Sequence, residues 1–309
     1  MELRHLRTFV AVAESGTVST AAARLHIAQP ALSRQIMALE EELGVALFDR
    51  VGGRLQLSGA GERLLGDCRG LLNFARDLRE RAQALGRTDA GVLRVAASPH
   101  YVDSVFPEFL KRFARRYPDV RVSLMDLIGS SVIGMLERGE VHLAQSSPRL
   151  LHAGHAHIAM RELPPVDMMA AWSPALPLAH KPAIEIGTLR GFPLLQTGTE
   201  YVIRRMFDAA CRLAGFEPDN VLESRAPHAL LAMAEAGHGI AVIPSALSLA
   251  RYRLNVARIT YRRKAVSAPL ALLYDRRRPQ PAYAVAFAEM LASYVGEIWP
   301  ITRPRGHKR

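Results

Sequence analysis

Apolar residues recur at Leu3, Leu6, Phe9, Val10 and Ala13, the three-and-four spacing of one helix face, and Gly16 closes the run. A second, alanine-rich helix is predicted from Ser19 to Leu25. After His26-Ile27-Ala28 a third is predicted from Gln29 to about Leu43, stopped by Gly44. The stretch from Leu47 to Leu57 reads as a two-stranded ribbon turning at Gly52-Gly53. Then Leu64, Cys68, Leu71, Ala75, Leu78, Ala82 and Leu85 step alternately by four and three, the a/d repeat of a coiled coil. So narrow a seam on one helix predicts a partner helix and a dimer. The competing reading is an amphipathic helix lying on its own domain.

From Ala90 onward the pattern alternates. Strands are predicted near Val92, Val120, Val141, Ile158, Met168, Leu194, Ile240 and Leu270. Helices are predicted between them, from Val105, Val132, Val202, His228 and Ala282. This predicts an α/β region of mostly parallel strands, whose ligands sit at the carboxyl edge of the sheet. Three segments follow: 1–58, a linker helix over 59–89, and 90–309. The last splits into one subdomain of about 90–161 plus 266–309 and a second of about 162–265.

Composition narrows the class. The chain has 309 residues, 49% hydrophobic and 22% charged, enough to bury a core and too apolar for disorder. No apolar stretch long enough for a membrane helix runs free of charge. The best, Ala229 to Ala250, is broken by Glu235, His238 and Pro244. Glu14 cuts short the apolar run that a signal peptide would need. Two cysteines, Cys68 and Cys211, make neither a disulfide framework nor a zinc site. These features predict a soluble cytoplasmic protein. The net charge of +11 points to a polyanion, yet residues 1–58 are neutral and residues 251–309 carry +10 of it. A solvated face and a frayed tail account for that excess, so charge alone does not locate a nucleic-acid site.

Chemistry does locate one. Two short helices with a tight turn, the second opening on polar residues, describe a helix-turn-helix. Gln29, Ser33 and Arg34 suit base edges, and Pro30 fits a first helical turn. Arg50 and Arg54 flank the ribbon's turn, as in a wing that could reach the adjacent DNA backbone or minor groove. His152, His155 and His157 lack nearby cysteines or carboxylates and lie in a loop, so no metal is expected. No phosphate loop, nucleophile elbow or carboxylate pair marks an enzyme.

The runs Gly16-Thr-Val-Ser-Thr-Ala-Ala-Ala-Arg-Leu25, Gln29-Pro-Ala-Leu-Ser-Arg-Gln-Ile36, Leu39-Glu-Glu-Glu-Leu-Gly44 and Leu47-Phe-Asp-Arg50 closely resemble the N-terminal signature of LysR-type transcriptional regulators. Pro107 with Phe109, Tyr117-Pro118, Leu136-Glu-Arg-Gly139 and Ala236-Gly-His-Gly-Ile-Ala-Val-Ile-Pro244 resemble that family's effector region. The resemblance spans nearly the whole chain. It implies a winged helix-turn-helix, a long coiled-coil linker helix, and two α/β subdomains of periplasmic-binding-protein type around a small-molecule cleft. It also implies a dimer of dimers that bends double-stranded promoter DNA, with RNA polymerase a further candidate partner, and no cofactor beyond the effector.

By the same similarity the effector loops map to Ser98-Pro99-His100, Ser130-Ser131, Ser146 and Thr197-Gly198-Thr199. Hydroxyls and helix N-termini there suit a small organic anion, and a charged His100 would strengthen its binding as pH falls. Three departures stand out. Ala28 replaces the usual capping Ser or Thr. His142 and Gln145 replace the family's Asp and aliphatic residue, which makes the cleft floor unusual. Two other functions compete: a solute-binding protein, which leaves residues 1–58 unexplained, and an architectural DNA binder, which leaves the α/β region unexplained.

Overall fold

Three helices form where the apolar spacing places them: α1 (Leu3–Ser15), α2 (Val18–Leu25) and α3 (Gln29–Leu43). The structure, a computed structural model, describes residues 1–51, 54–83, 90–129 and 131–300, with the backbone alone for Arg50, Val51, Arg54, Glu80, Arg81 and Gln83. The Thr17 hydroxyl accepts the Thr20 N–H at 3.2 Å and opens α2. His26, at φ 54°, closes it: the Ile27 N–H reaches back to the Ala22 carbonyl and the His26 N–H to that of Ala23. α3 begins with Pro30 in its first turn and no side-chain cap from Ala28. Leu6, Phe9 and Val12 of α1 bury against Ala21, Ala22, Leu32, Ile36 and Leu39.

The ribbon is β1 (Phe48–Val51) paired antiparallel with β2 (Arg54–Leu57). Glu40 of α3 holds its start, accepting the N–H groups of Leu47 and Phe48 at 2.7 and 3.2 Å. The long helix α4 (Gly59–Gln83) follows. Ser58 opens it, accepting the Gly61 N–H at 2.9 Å and donating to the Ala46 carbonyl at 2.6 Å. A Cβ on Gly61 would lie 2.2 Å from the Leu47 carbonyl oxygen, so this approach requires glycine.

The chain divides into two compact units, Met1–Arg87 with Glu137–Glu140 and Thr88–Leu136 with Val141–Arg309. The second contains β3 (Gly91–Ala97), α5 (Pro99–Ser104), α6 (Phe106–Arg116), β4 (Val120–Asp126), α7 (Ser131–Glu137, which ends among the residues grouped with the first unit) and β5 (Leu143–Ser146). Next come β6 (Ile158–Trp172), β7 (Ala183–Glu185), β8 (Leu194–Gln196), α8 (Val202–Leu213), β9 (Asn220–Glu223) and α9 (Pro227–Glu235). The unit closes with β10 (Ile240–Pro244), β11 (Asn255–Tyr261), β12 (Lys264–Ala265), β13 (Ser267–Asp275) and α10 (Ala282–Ile298).

Its strands form an eleven-stranded sheet ordered β4-β3-β5-β13-β6-β10-β8-β9, with β11 also on β6. The sheet is mixed, not mostly parallel as the alternation predicts. β3, β4 and β5 are parallel, as are β8, β9 and β10, while β6 and β13 run antiparallel to their neighbours. Of these, β6 runs through both halves, and the chain returns to the first half at the start of β13.

The two strands predicted near Ile158 and Met168 are one. Pro164 and Pro165 read as a break, but they sit beside an irregularity in the β6–β13 ladder between Ala268 and Leu270, where a missing N–H is tolerated. β6 pairs with β13 as far as Asp167 and with β10 and β11 from Met168 on, so the halves change over there and not near residue 161. Strands β7, β9, β11 and β12 and the short α5 escape the pattern reading; charged residues such as Arg258 and Lys264 disguise β11 and β12 as solvated loop.

Helices cover both faces of each half. Phe106, Phe109 and Phe113 of α6 pack with Phe287 and Leu291 of α10 on one face of the first half. Val132, Ile133 and Leu136 of α7 cover the other. In the second half α8 brings Phe207 and Cys211 to one face, and α9 brings Leu230, Leu231 and Ala234 to the opposite one. Gly239, at φ 151°, lets β10 pass close to the Pro193 carbonyl, which a Cβ would meet at 2.3 Å.

Candidate functional site

On α3, Leu32, Ile36 and Leu39 turn inward and Gln29, Pro30, Ser33 and Arg34 are exposed. Helical spacing sets these four on one face with Met37, which is 57% exposed and which the sequence analysis does not single out. The Gln29 amide donates to the Ser19 hydroxyl at 2.8 Å, so α2 orients it. Arg24 and Arg69 are both tied to Glu14, at 3.0 and 3.2 Å. The cation presented on the α3 face is Arg34. On the ribbon, Arg50 pairs with Leu55 and Arg54 with Val51.

The structure divides the helix seam. Leu64 and Cys68 pack into the N-terminal core with Leu65 and Leu72, and burial, with Asp67 nearby, pushes the Cys68 thiol pKa up. Leu71 and Leu78 are instead 45% and 55% exposed, Phe74 between them is 41% exposed, Ala82 is exposed and Ala75 half-buried. Leu85 lies outside the described residues. The two readings of this helix thus apply to different stretches: its start lies on its own domain, and the remainder shows an apolar stripe.

In the second unit a cleft lies where the carboxyl ends of β3, β4 and β5 meet β6, β13 and the start of α8. Its polar wall holds Ser98, His100, Gln145, Ser146 and Ser147; Leu127, Ile128, Val166, Ile203 and Leu270 are among its apolar lining. Gln145 is the hub. Its Oε1 accepts both the Ser98 N–H, at 2.9 Å, and the Ser98 hydroxyl, at 2.8 Å. The same Ser98 oxygen lies 3.2 Å from His100 Nε2. Burial lowers the His100 pKa to about 4, so the charge expected of it is absent at neutral pH. Among the described residues no Asp, Glu, Lys or Arg lines this cleft.

The other expected effector residues separate. Pro99 and Ser131 border a neighbouring depression with Asp103, Asp126 and His228, and the Ser131 hydroxyl donates to the Ile128 carbonyl at 2.7 Å. Thr197 and Gly198 are buried outside the cleft wall and Thr199 is exposed. The carbonyls of Thr197 and Thr199 accept from Arg204 and Arg205 of α8, at 2.8 and 3.1 Å, which ties that loop to its helix. Ser130 lies outside the described residues. His142 is not on the cleft floor either: its Nδ1 accepts the Arg94 N–H at 3.0 Å between β5 and β3. His152 and His155 cap a turn, each Nδ1 accepting a backbone N–H at 3.2 Å, and no group of three metal-ligating side chains occurs among the described residues.

Residues 3–62 match the family model of the bacterial regulatory helix-turn-helix protein, lysR family, and residues 86–296 match that of the LysR substrate binding domain. The chain belongs to the LysR family. It is a DNA-binding transcriptional regulator with an effector-binding domain, and its relatives are regulators, not enzymes. The HTH-type transcriptional regulator AlsR of Bacillus subtilis (strain 168) is 32% identical over 265 residues, 85% of each chain. The crystal structure of CbnR, a LysR family transcriptional regulator, superposes with a TM-score of 0.69 at 27% identity, covering 96% of this chain and 99% of that one. Full-length CbnR complexed with its target DNA gives 0.68 at 28% identity, covering 95% and 100%.

Seen as a LysR-family chain, Gln145 is the departure that matters. An aliphatic residue there could not hold Ser98 from β5. The family resemblance flags the position, and only the fold shows that it holds the serine beside His100. No helix among the described residues is long and apolar enough to cross a membrane.

Proposed function

We propose that this regulator reads promoter DNA in the cytoplasm through Gln29, Pro30, Ser33 and Arg34 of α3, with Arg50 and Arg54 of the wing on the backbone. Residues 1–58 act as the DNA-binding domain, 59–89 as the linker and 90–309 as the effector domain. The observation that carries this reading is the exposed polar face at the opening of α3, beside a turn closed by His26. CbnR's complex with its target DNA supports it. The stripe Leu71–Phe74–Leu78 pairs with a second copy and sets two recognition helices at fixed spacing on an interrupted palindrome; two dimers together bend the site.

Footprinting tests the reading. Arg34→Ala is expected to cost about 1–3 kcal/mol and relax specificity at one base pair, as loss of a forked guanine contact does. Arg54→Ala is expected to weaken all sequences alike and flatten the salt dependence. Unchanged footprints for the alanine variants of Gln29, Ser33 and Arg34 overturn the assignment.

The effector is a small, largely apolar organic acid. Ser98, Ser146 and Ser147 line the cleft together with Val202 and Ile203 at the start of α8, hydroxyls beside an apolar wall. A thermal-shift screen of the full chain tests this reading. Neutral ligands stabilising it as strongly as acids would remove it.

A further inference from the structure

We propose that Gln145 selects the effector's acid group: its Nε2 donates to the carboxylate while its Oε1 holds Ser98. The proposal rests on the organic-acid reading above and names the residue that recognises the carboxylate. The last pair of the β3–β5 ladder is Ala96 with Ala144. Beyond it the Gln145 side chain takes over, accepting the Ser98 N–H at 2.9 Å and the Ser98 hydroxyl at 2.8 Å on Oε1. Both lone pairs of that oxygen are then in use. The backbone N–H of Ser98 can only donate, so turning the carboxamide over would set N–H against N–H. Its orientation is fixed, and the two N–H groups of Nε2 must look elsewhere.

Among the described residues no group of the protein accepts from Nε2. Nor is this nitrogen sealed in, as His100 Nδ1 is. Gln145 is 3% exposed, and the part that remains open lies on the cleft wall. The Ser146 hydroxyl on the same wall is likewise neither sealed nor partnered.

These are donors in want of an acceptor. A carboxylate is all acceptor, with about four lone-pair sites on its two oxygens, and bonds to a charged acceptor are the stronger kind. An ammonium ion would set donor against donor. No cationic side chain lines the described wall, so the acid is recognised by hydrogen bonds, with its apolar body on Leu127, Ile128, Val166 and Leu270. The aliphatic residue usual in the family could neither hold Ser98 nor meet the acid.

The test is calorimetry of the full chain at neutral pH with benzoate, hexanoate and benzylammonium. Wild-type protein is expected to bind the two acids and not the ammonium. Gln145→Leu is expected to weaken both acids about ten- to a hundredfold, as loss of a hydrogen bond to a charged group does. Gln145→Glu keeps an oxygen for Ser98 and replaces the donor by an acceptor, so it is expected to reject the acids and take benzylammonium. A side chain that merely positioned Ser98 would not produce that exchange. If the variants do not fold, a crystal structure of the wild-type chain with 4-bromobenzoate decides, with a carboxylate oxygen expected within about 3.2 Å of Nε2. Acids bound by Gln145→Leu as by wild type, no exchange in Gln145→Glu, or a carboxylate seated away from Nε2, overturns the proposal alone. Failure of both acids to bind wild-type protein overturns the organic-acid reading and the proposal with it.

Discussion

Ala28 stands at the N-cap of α3 with φ −70° and ψ 143°, the extended backbone that a cap needs, and offers no side-chain acceptor. Ala28→Ser is expected to stabilise the N-terminal unit by about 1 kcal/mol, read as a higher thermal midpoint. An unchanged midpoint would mean that the first-turn N–H groups are already satisfied. Gly61→Ala is expected to act the other way. Its Cβ meets the Leu47 carbonyl, a backbone atom that cannot swing aside, so urea unfolding should show a loss of about 1–3 kcal/mol. Ala28 is legible in the sequence, because capping is local. Gly61 is not, because its constraint comes from a carbonyl far along the chain. His100 falls between: residue type marks it as a site candidate, but its charge depends on burial that only tertiary structure sets.

Periodicity exposed most of the helices and the recognition hairpin, since each is an amphipathic element with its own stop signal. It could not say which neighbour a face meets. The α4 repeat is one unbroken run in sequence, yet its start packs into the N-terminal core while Leu71, Phe74 and Leu78 stand exposed. Leu71→Glu with Leu78→Glu is expected to leave the N-terminal unit folded, break the dimer and lose DNA affinity, with light scattering reporting the mass. A dimer or tetramer mass for that double variant would refute the stripe as a seam. Cys68→Ser should behave in the opposite manner. A hydroxyl placed in the core beside Leu65 and Leu72 costs about 1–3 kcal/mol of stability and leaves the oligomer's mass unchanged.

Across the whole molecule, an effector that works through the α/β halves has to favour one arrangement of them, by roughly 1–3 kcal/mol for a typical coupling. β6 joins the halves and β13 begins where they meet, and Asp167 ties this changeover together. Its N–H donates to the Ser245 hydroxyl at 3.0 Å and its carbonyl accepts the Ser245 N–H at 2.9 Å, which anchors the end of β10. One carboxylate oxygen accepts the Ser267 hydroxyl at 2.5 Å, and the other pairs with Arg258 of β11 at 3.0 Å. Nothing in the sequence singles out this residue, which follows a proline pair that reads as a loop. Asp167→Ala leaves the Ser267 hydroxyl and the Arg258 guanidinium short of a partner and is expected to cost about 1–3 kcal/mol. Because the tie sits at the junction, the loss should be local before it is global: amide exchange should quicken along residues 163–172 and 267–275 while α3 and the ribbon keep their protection. Unchanged exchange along both strands would show that the halves are held by their ladder alone.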